Sequence, residues 1–165
     1  MAFFLKGLYL YSMFYKEYKP STSLGHLVDC YWISKIDKST ALGSRIIPDG
    51  CVDVIFRFGG DFSTTKSTYS EPILHGTMTS SFLFVPENGV SEMLGVRFLP
   101  AGISVLTKLP ISEITNGMVS LFDIDSLFNR EFVEMVYDIP NENSFYRSVV
   151  TCCPAFFLCI RCPDL

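Results

Sequence analysis

The sequence has few of the residues from which catalytic and metal sites are usually built. Only two of its 165 residues are histidine, and only one is tryptophan. Two histidines make a poor ligand set for a transition metal. The common motifs G-x-S-x-G, G-x-G-x-x-G, H-E-x-x-H and the Walker loop do not occur in the sequence. We therefore expect no enzymatic activity, no metal and no cofactor.

Charged residues are also scarce, at 18% of the chain. The 13 basic and 17 acidic residues give a net charge of −4, and no basic run occurs. Nucleic-acid binding relies on clustered lysine and arginine, so direct contact with nucleic acid is not expected. The 48% of hydrophobic residues, with 15% aromatic, exclude a disordered chain and are typical of a well-packed, β-rich domain.

Long apolar runs are absent as well. A membrane-spanning helix needs about 20 apolar residues. The run at 1–15 is too short and contains Lys6, and no small-residue cleavage site follows it. The run at 149–160 contains Pro154 and is also too short. We therefore expect a cytoplasmic protein without membrane contact.

The end of the sequence is unusually rich in cysteine. Four of the six cysteines lie there: Cys152, Cys153, Cys159 and Cys162. The second pair has the spacing of zinc ligands, but the first two are adjacent, which zinc ligand pairs usually are not. We interpret residues 143–165 as an apolar, Cys-rich tail that is disordered or truncated.

The domain organisation follows from these two ends. Residues 1–12 are interpreted as an N-terminal extension, with Met1 and Met13 both left open as the start of the protein. Residues 13–142 are predicted to form one domain, which is a normal length for an independently folding unit.

Strand patterns come first in the sequence and helix patterns follow. Strands are predicted at 28–33, 51–58, 77–85 and 90–98, and helices at 101–108 and 125–137. The strand after the turn Pro48-Asp49-Gly50 alternates clearly, with Val52, Val54 and Phe56 on one face. This order predicts an α+β fold, with a β-rich sheet or partial barrel followed by short helices.

A ligand pocket is predicted from aromatic and polar residues on or beside these strands. The candidate lining residues are Tyr31, Trp32, Phe56, His75 and Arg97. Arg97 lies two residues from Gly95, which leaves room for a side chain or a bound molecule. Arginine can anchor an anion, but it can also pair internally, here with Asp49 or Asp53. Both interpretations stay open, and the residues of the turn 48–50 are assigned a structural role.

Several stretches resemble a known family when they are taken together and in order. They are Y-K-P at 18–20, I-P-D-G-C-V-D-V-I-F at 47–56, L-H-G at 74–76, L-G-V-R-F-L-P-A-G at 94–102 and L-P at 109–110. In order and spacing they resemble the amino-terminal sensor domain of AraC-type bacterial transcriptional regulators. The resemblance covers about residues 13–125.

The resemblance implies a cupin-like domain that binds a small-molecule effector or mediates dimerisation. The family's C-terminal pair of helix-turn-helix units has no counterpart in this sequence. We therefore expect a sensor domain that does not itself bind DNA, with a second copy or an intact regulator as its partner. Two alternatives are a small enzyme that uses a barrel interior and a membrane-associated interaction protein.

Overall fold

The computed structural model describes residues 13–37, 44–59, 62–63, 68–69, 71–87, 89–105, 107–124 and 130–138. Within these residues the chain forms ten β-strands, three 3₁₀ turns and one α-helix. The strands are β1 (Met13–Tyr18), β2 (Val28–Asp37), β3 (Ser44–Ile46), β4 (Val52–Gly59), β5 (Phe62–Ser63), β6 (Thr68–Tyr69), β7 (Ile73–His75), β8 (Phe82–Pro86), β9 (Val90–Phe98) and β10 (Met118–Ser120). The 3₁₀ turns are Gly102–Val105, Ile111–Ile114 and Leu121–Asp123, and the helix is α1 (Arg130–Tyr137).

Six strands form an antiparallel sheet in the order β1-β2-β9-β4-β7-β10. Its centre is β9, which pairs with β2 from Val28↔Phe98 to Asp37↔Val90 and with β4 on its other side. The predicted β-rich fold is confirmed. Among the described strands the sheet is open, with β1 and β10 at its edges.

A second sheet, in the order β3-β8-β5-β6, covers one face of the first. Phe84 of β8 is buried against that face, and Ile46 of β3 packs beside it. Their neighbours on the six-stranded sheet are Trp32, Ile36, Ile73 and Met93. The layer between the two sheets is called the inter-sheet layer below.

The opposite face of the six-stranded sheet is apolar. Its fully buried or nearly buried side chains include Val52, Val54, Phe56, Leu94, Val96 and Phe98. The 3₁₀ turns contribute Ile103 and Leu121, and α1 contributes Val133 and Val136. The segment after β9 therefore closes this face, and β10 returns to the sheet between two of the 3₁₀ turns.

The strand predicted at 77–85 begins later, at Phe82. Residues 77–81 are instead held by Asn116, whose side-chain oxygen accepts from the Thr79 N–H at 2.8 Å and whose amide donates to the Thr79 hydroxyl at 2.7 Å. The short strand β7 precedes this loop and was not predicted.

The helix predicted at 101–108 is a 3₁₀ turn, Gly102–Val105. Ala101 has a φ of 63°, and a residue in this left-handed region cannot be the first residue of a right-handed helix. The helix predicted at 125–137 corresponds to α1 over 130–137, and residues 125–129 lie outside the described residues. The predictions for 1–12 and 143–165, including the four clustered cysteines, also lie outside them.

Candidate functional site

Four polar side chains lie side by side across the six-stranded sheet. The register pairs Cys30 with Arg97, Arg97 with Asp53, and Asp53 with His75. We call these four residues the polar row. A register shift between Val28 and Cys30 brings Cys30 into this row. All four face the inter-sheet layer, because successive side chains alternate between the two faces of a strand.

The Arg97 guanidinium lies among three carboxylates. Its Nε is 3.3 Å from Asp53 Oδ1 and 3.5 Å from Asp49 Oδ2, and its Nη1 is 3.8 Å from Glu17 Oε1. Burial alone would lower the pKa of Arg97, but the neighbouring carboxylates, Asp53 foremost, raise it above its ordinary value. Arg97 is therefore charged and is paired inside the protein with both aspartates named from the sequence.

Trp32 covers the polar row and forms a hydrogen bond with it. Its Nε1 donates to Asp53 Oδ1 at 2.7 Å. The indole lies over Gly95, where an added Cβ would be 2.0 Å from the ring atom Cε2. Burial raises the pKa of Asp53, while Arg97 and the indole N–H oppose that rise. The space that Gly95 leaves is thus filled by Trp32, on which Tyr15 stacks with ring centroids 6.2 Å apart.

Two carboxylates lie where the polar row meets solvent. The side chains of Glu17 and Asp49 are 33% and 18% exposed, against 4% for Arg97. Glu17 Oε1 accepts from the Tyr15 hydroxyl at 2.7 Å, and Asp49 Oδ1 accepts from the Cys51 N–H at 2.9 Å. We call Glu17 and Asp49 the acidic rim. Each is thus held in place by a hydrogen bond from the protein.

Asp49 lies in the turn 48–50, which fixes its position. Gly50 has a φ of 75°, a conformation that side-chain-bearing residues rarely adopt. The bond from the Cys51 N–H to Asp49 closes the turn in the manner usual for aspartate at this position. The turn therefore places the Asp49 carboxylate beside Arg97.

Two thiols and one imidazole near the row are uncharged at neutral pH. Burial raises the pKa of Cys30 to about 12 and that of Cys51 to about 11, so both thiols are protonated and poor nucleophiles. His75 stacks on Phe82 with centroids 5.2 Å apart, and burial lowers its pKa. These three groups therefore add no charge to that of Arg97 and the carboxylates around it.

The predicted pocket residues separate into two groups. Trp32, His75 and Arg97 lie together on the inter-sheet face, whereas Tyr31 and Phe56 belong to the apolar core on the opposite face. Tyr31 and Phe56 are each next in the chain to residues that face the inter-sheet layer. Because side chains alternate along a strand, Tyr31 and Phe56 face the opposite side of the sheet. Glu17 and Tyr15 were not predicted for the site; their only sequence signal is alternation along 14–18.

Within the described part of the chain, no group of three or more histidine, cysteine, aspartate or glutamate side chains is placed to hold a metal ion. No helix there is long and apolar enough to cross a membrane.

Comparison with known proteins identifies a family. The family model described as Domain of unknown function (DUF6597) matches residues 16–120, and the chain belongs to this family. The match includes the whole polar row and the acidic rim. No curated protein and no solved structure matches the chain. The family description assigns no function, and the match is compatible with the resemblance to AraC-type sensor domains.

Proposed function

We propose that this domain is the effector-sensing or dimerisation domain of an AraC-type transcriptional regulator and does not itself bind DNA. Its effector is a small molecule with a positively charged group, bound at the acidic rim. The observation that carries this proposal is the arrangement of three carboxylates around one guanidinium at the solvent-facing end of the inter-sheet layer.

The charge at the site favours a cation over an anion. Three carboxylates surround a single guanidinium, so negative charge is in excess, and both rim carboxylates are more exposed than Arg97. An anionic ligand would meet the rim first and would be repelled. It would also have to displace carboxylates that already pair with Arg97. An ammonium or guanidinium group meets the opposite situation, because it balances the excess charge.

A tyrosine ring supports the same choice. Tyr15 is half-buried and its hydroxyl donates to Glu17, which places its ring beside the rim. Cations are attracted to the faces of tyrosine and tryptophan rings, and a site that combines carboxylates with aromatic faces is suited to organic cations.

The test compares three probes of equal chain length: hexylamine, hexanol and hexanoate. We expect hexylamine at millimolar concentration to raise the Tm of the domain, and the other two to have little effect. Glu17→Gln and Asp49→Asn keep a hydrogen-bond acceptor and remove the charge, so each should weaken the hexylamine shift. Sedimentation with and without hexylamine measures the dimerisation that the resemblance implies.

Glu92→Gln is the matched control. Glu92 is also a strand glutamate and pairs with Lys35 at 3.0 Å, away from the rim. Its substitution should leave the hexylamine shift unchanged. A larger shift with hexanoate than with hexylamine, or an equal loss in Glu92→Gln, would contradict the proposal.

A further inference from the structure

Two buried serines on the inter-sheet face have hydroxyl groups without hydrogen-bond partners among the described residues. Ser34 on β2 is 3% exposed and Ser91 on β9 is 0% exposed, and the Oγ atoms of both lack such a partner there. Ser34 lies two residues from both Trp32 and Ile36, and Ser91 lies two residues before Met93. Alternation therefore directs both hydroxyls into the inter-sheet layer.

The two serines are close to one another and to the acidic rim. The register pairs Ser34 with Met93 and Ile36 with Ser91, so the serines are diagonal neighbours, with backbones about 7–8 Å apart. On the other side, Ser34 pairs with Tyr15, which is two residues from Glu17 and therefore about 7 Å along the strand. An elongated molecule that entered the inter-sheet layer would be long enough to span from the rim to the serines.

A buried hydroxyl without a partner is unusual and destabilising, because it has lost its hydrogen bonds to water and gained none from the protein. The half-buried hydroxyl of Ser120 on β10 has partners, since it donates to Glu71 and accepts from the Phe122 N–H. Alanine would pack at positions 34 and 91 without this penalty. The two hydroxyls thus keep an unused capacity to donate and accept hydrogen bonds.

The surroundings define the chemistry of that group. Ile36, Met93 and Phe84 are apolar side chains of the same buried cluster, so a charged group here would lose its hydration without compensation. A hydroxyl or carbonyl would be stabilised by two serine hydroxyls, each of which can donate or accept.

We propose that Ser34 and Ser91 bind an uncharged hydrogen-bonding group at the far end of the cationic ligand. The ligand class is then an elongated organic cation with a hydroxyl or carbonyl group at its other end, such as an amino alcohol. This inference rests on the proposed function, because the acidic rim holds the cationic end.

The experiment compares ω-aminohexanol with hexylamine by calorimetric titration. In the unmodified protein we expect aminohexanol to bind about threefold to tenfold more tightly, the range of one added hydrogen bond. In Ser34→Ala and in Ser91→Ala the two amines should bind about equally. Ser120→Ala should keep the difference, since that hydroxyl lies outside the proposed site.

Stability without ligand gives a second, independent measurement. Ser34→Ala and Ser91→Ala should raise the Tm, because each removes a buried hydroxyl that makes no bond. Ser120→Ala should lower it, because it removes a hydroxyl that makes two. A lower Tm in both Ser34→Ala and Ser91→Ala would show that the hydroxyls are already bonded, and it would overturn the inference.

The outcomes separate this inference from the proposed function. Equal binding of aminohexanol and hexylamine by the unmodified protein, with hexylamine binding still dependent on Glu17, overturns the serine site and leaves the cation site standing. A crystal structure of the aminohexanol complex in which only a water contacts the two serine hydroxyls would also overturn the serine site and leave the cation site standing. If neither amine binds, both proposals fail.

Discussion

The two faces of the six-stranded sheet come from the same strands but are built by different rules. On the face toward α1, residues such as Val54, Leu94 and Phe98 are apolar and fully or nearly buried. On the face toward the second sheet, the same strands place Asp53 and Arg97 beside each other and nearly as deeply buried. Alternation along β4 and β9 thus separates an apolar core from a layer that contains a buried charge network.

The difference between the faces lies in how each tolerates change. Apolar packing is the sum of many weak contacts, so one substitution removes only part of the stabilisation. A buried charge network is stable only as a set, because a charge that loses its partner remains in a medium that solvates it poorly. The inter-sheet face should therefore be sensitive to single substitutions and recover in suitable double variants.

Gly95→Val should have the largest effect. The first carbon of the new side chain would overlap the Trp32 indole at 2.0 Å, and the indole is held by its bond to Asp53. We expect a loss in the free energy of unfolding above the roughly 1–3 kcal/mol typical of overpacking, or failure to fold. Gly59→Ala on β4 is the control, because its new carbon would meet its nearest neighbour at 3.5 Å. Urea denaturation measures both, and a fully stable Gly95→Val protein would exclude the packing described for Trp32.

Arg97→Met should have the next largest effect. It leaves Asp53 buried without its cation, and breaking a buried pair in this way typically costs about 3–5 kcal/mol. Adding Asp53→Asn removes the stranded charge, so the double variant should be more stable than Arg97→Met alone. If the two substitutions are simply additive in urea denaturation, the network does not act as a set.

His75 should make stability depend on pH. Burial holds its folded-state pKa below the ordinary 6.5, so between the two values the unfolded chain binds a proton that the folded chain does not. The stabilisation is fully present above about pH 6.5 and decreases as the pH falls below it. His75→Gln should flatten the difference in the urea midpoint between about pH 7 and pH 5.

The contribution of His75 has to be separated from that of Asp53 by comparing the unmodified protein with His75→Gln. Asp53 acts in the opposite direction, because burial raises its pKa and favours the folded state at low pH. The measurement is therefore the difference between the unmodified protein and His75→Gln at each pH. A constant difference across the range would mean that His75 titrates alike in both states.

Lys35→Ala should have the smallest effect. Lys35 Nζ lies 3.0 Å from Glu92 Oε1, but both side chains are partly exposed. Exposed pairs of this kind contribute about 0–1 kcal/mol and weaken with salt. Thermal unfolding at low and high salt measures this, and a loss as large as that of Arg97→Met would remove the contrast between exposed and buried charges.

The sequence predicts the long strands well and the loops poorly. The bounds of β9 match the prediction at 90–98, because its alternation is uninterrupted and a glycine turn precedes it. The segment 77–81 was predicted as strand because its composition is compatible with one. Its conformation depends on Asn116, which is 37 residues away from Thr79, and local pattern carries no such information.

The candidate site shows the same division. The pairing of Arg97 with Asp49 or Asp53 follows from one turn and two neighbouring strands, and the sequence suggests it. Glu17 joins the site only through the pairing of β1 with β2, which local sequence does not specify. The buried hydroxyls of Ser34 and Ser91 depend on what covers the strands, which becomes visible only in the folded protein.

The most direct test of the account follows the single tryptophan by NMR during a hexylamine titration. Because Trp32 is the only tryptophan, the protein has one indole N–H signal, and this N–H is bonded to Asp53 beside the acidic rim. If a cation binds at the acidic rim, this signal should shift saturably while the methyl signals of Leu94 and Val96 on the apolar face stay in place. Methyl shifts on the apolar face with a stationary indole signal would contradict binding at the rim.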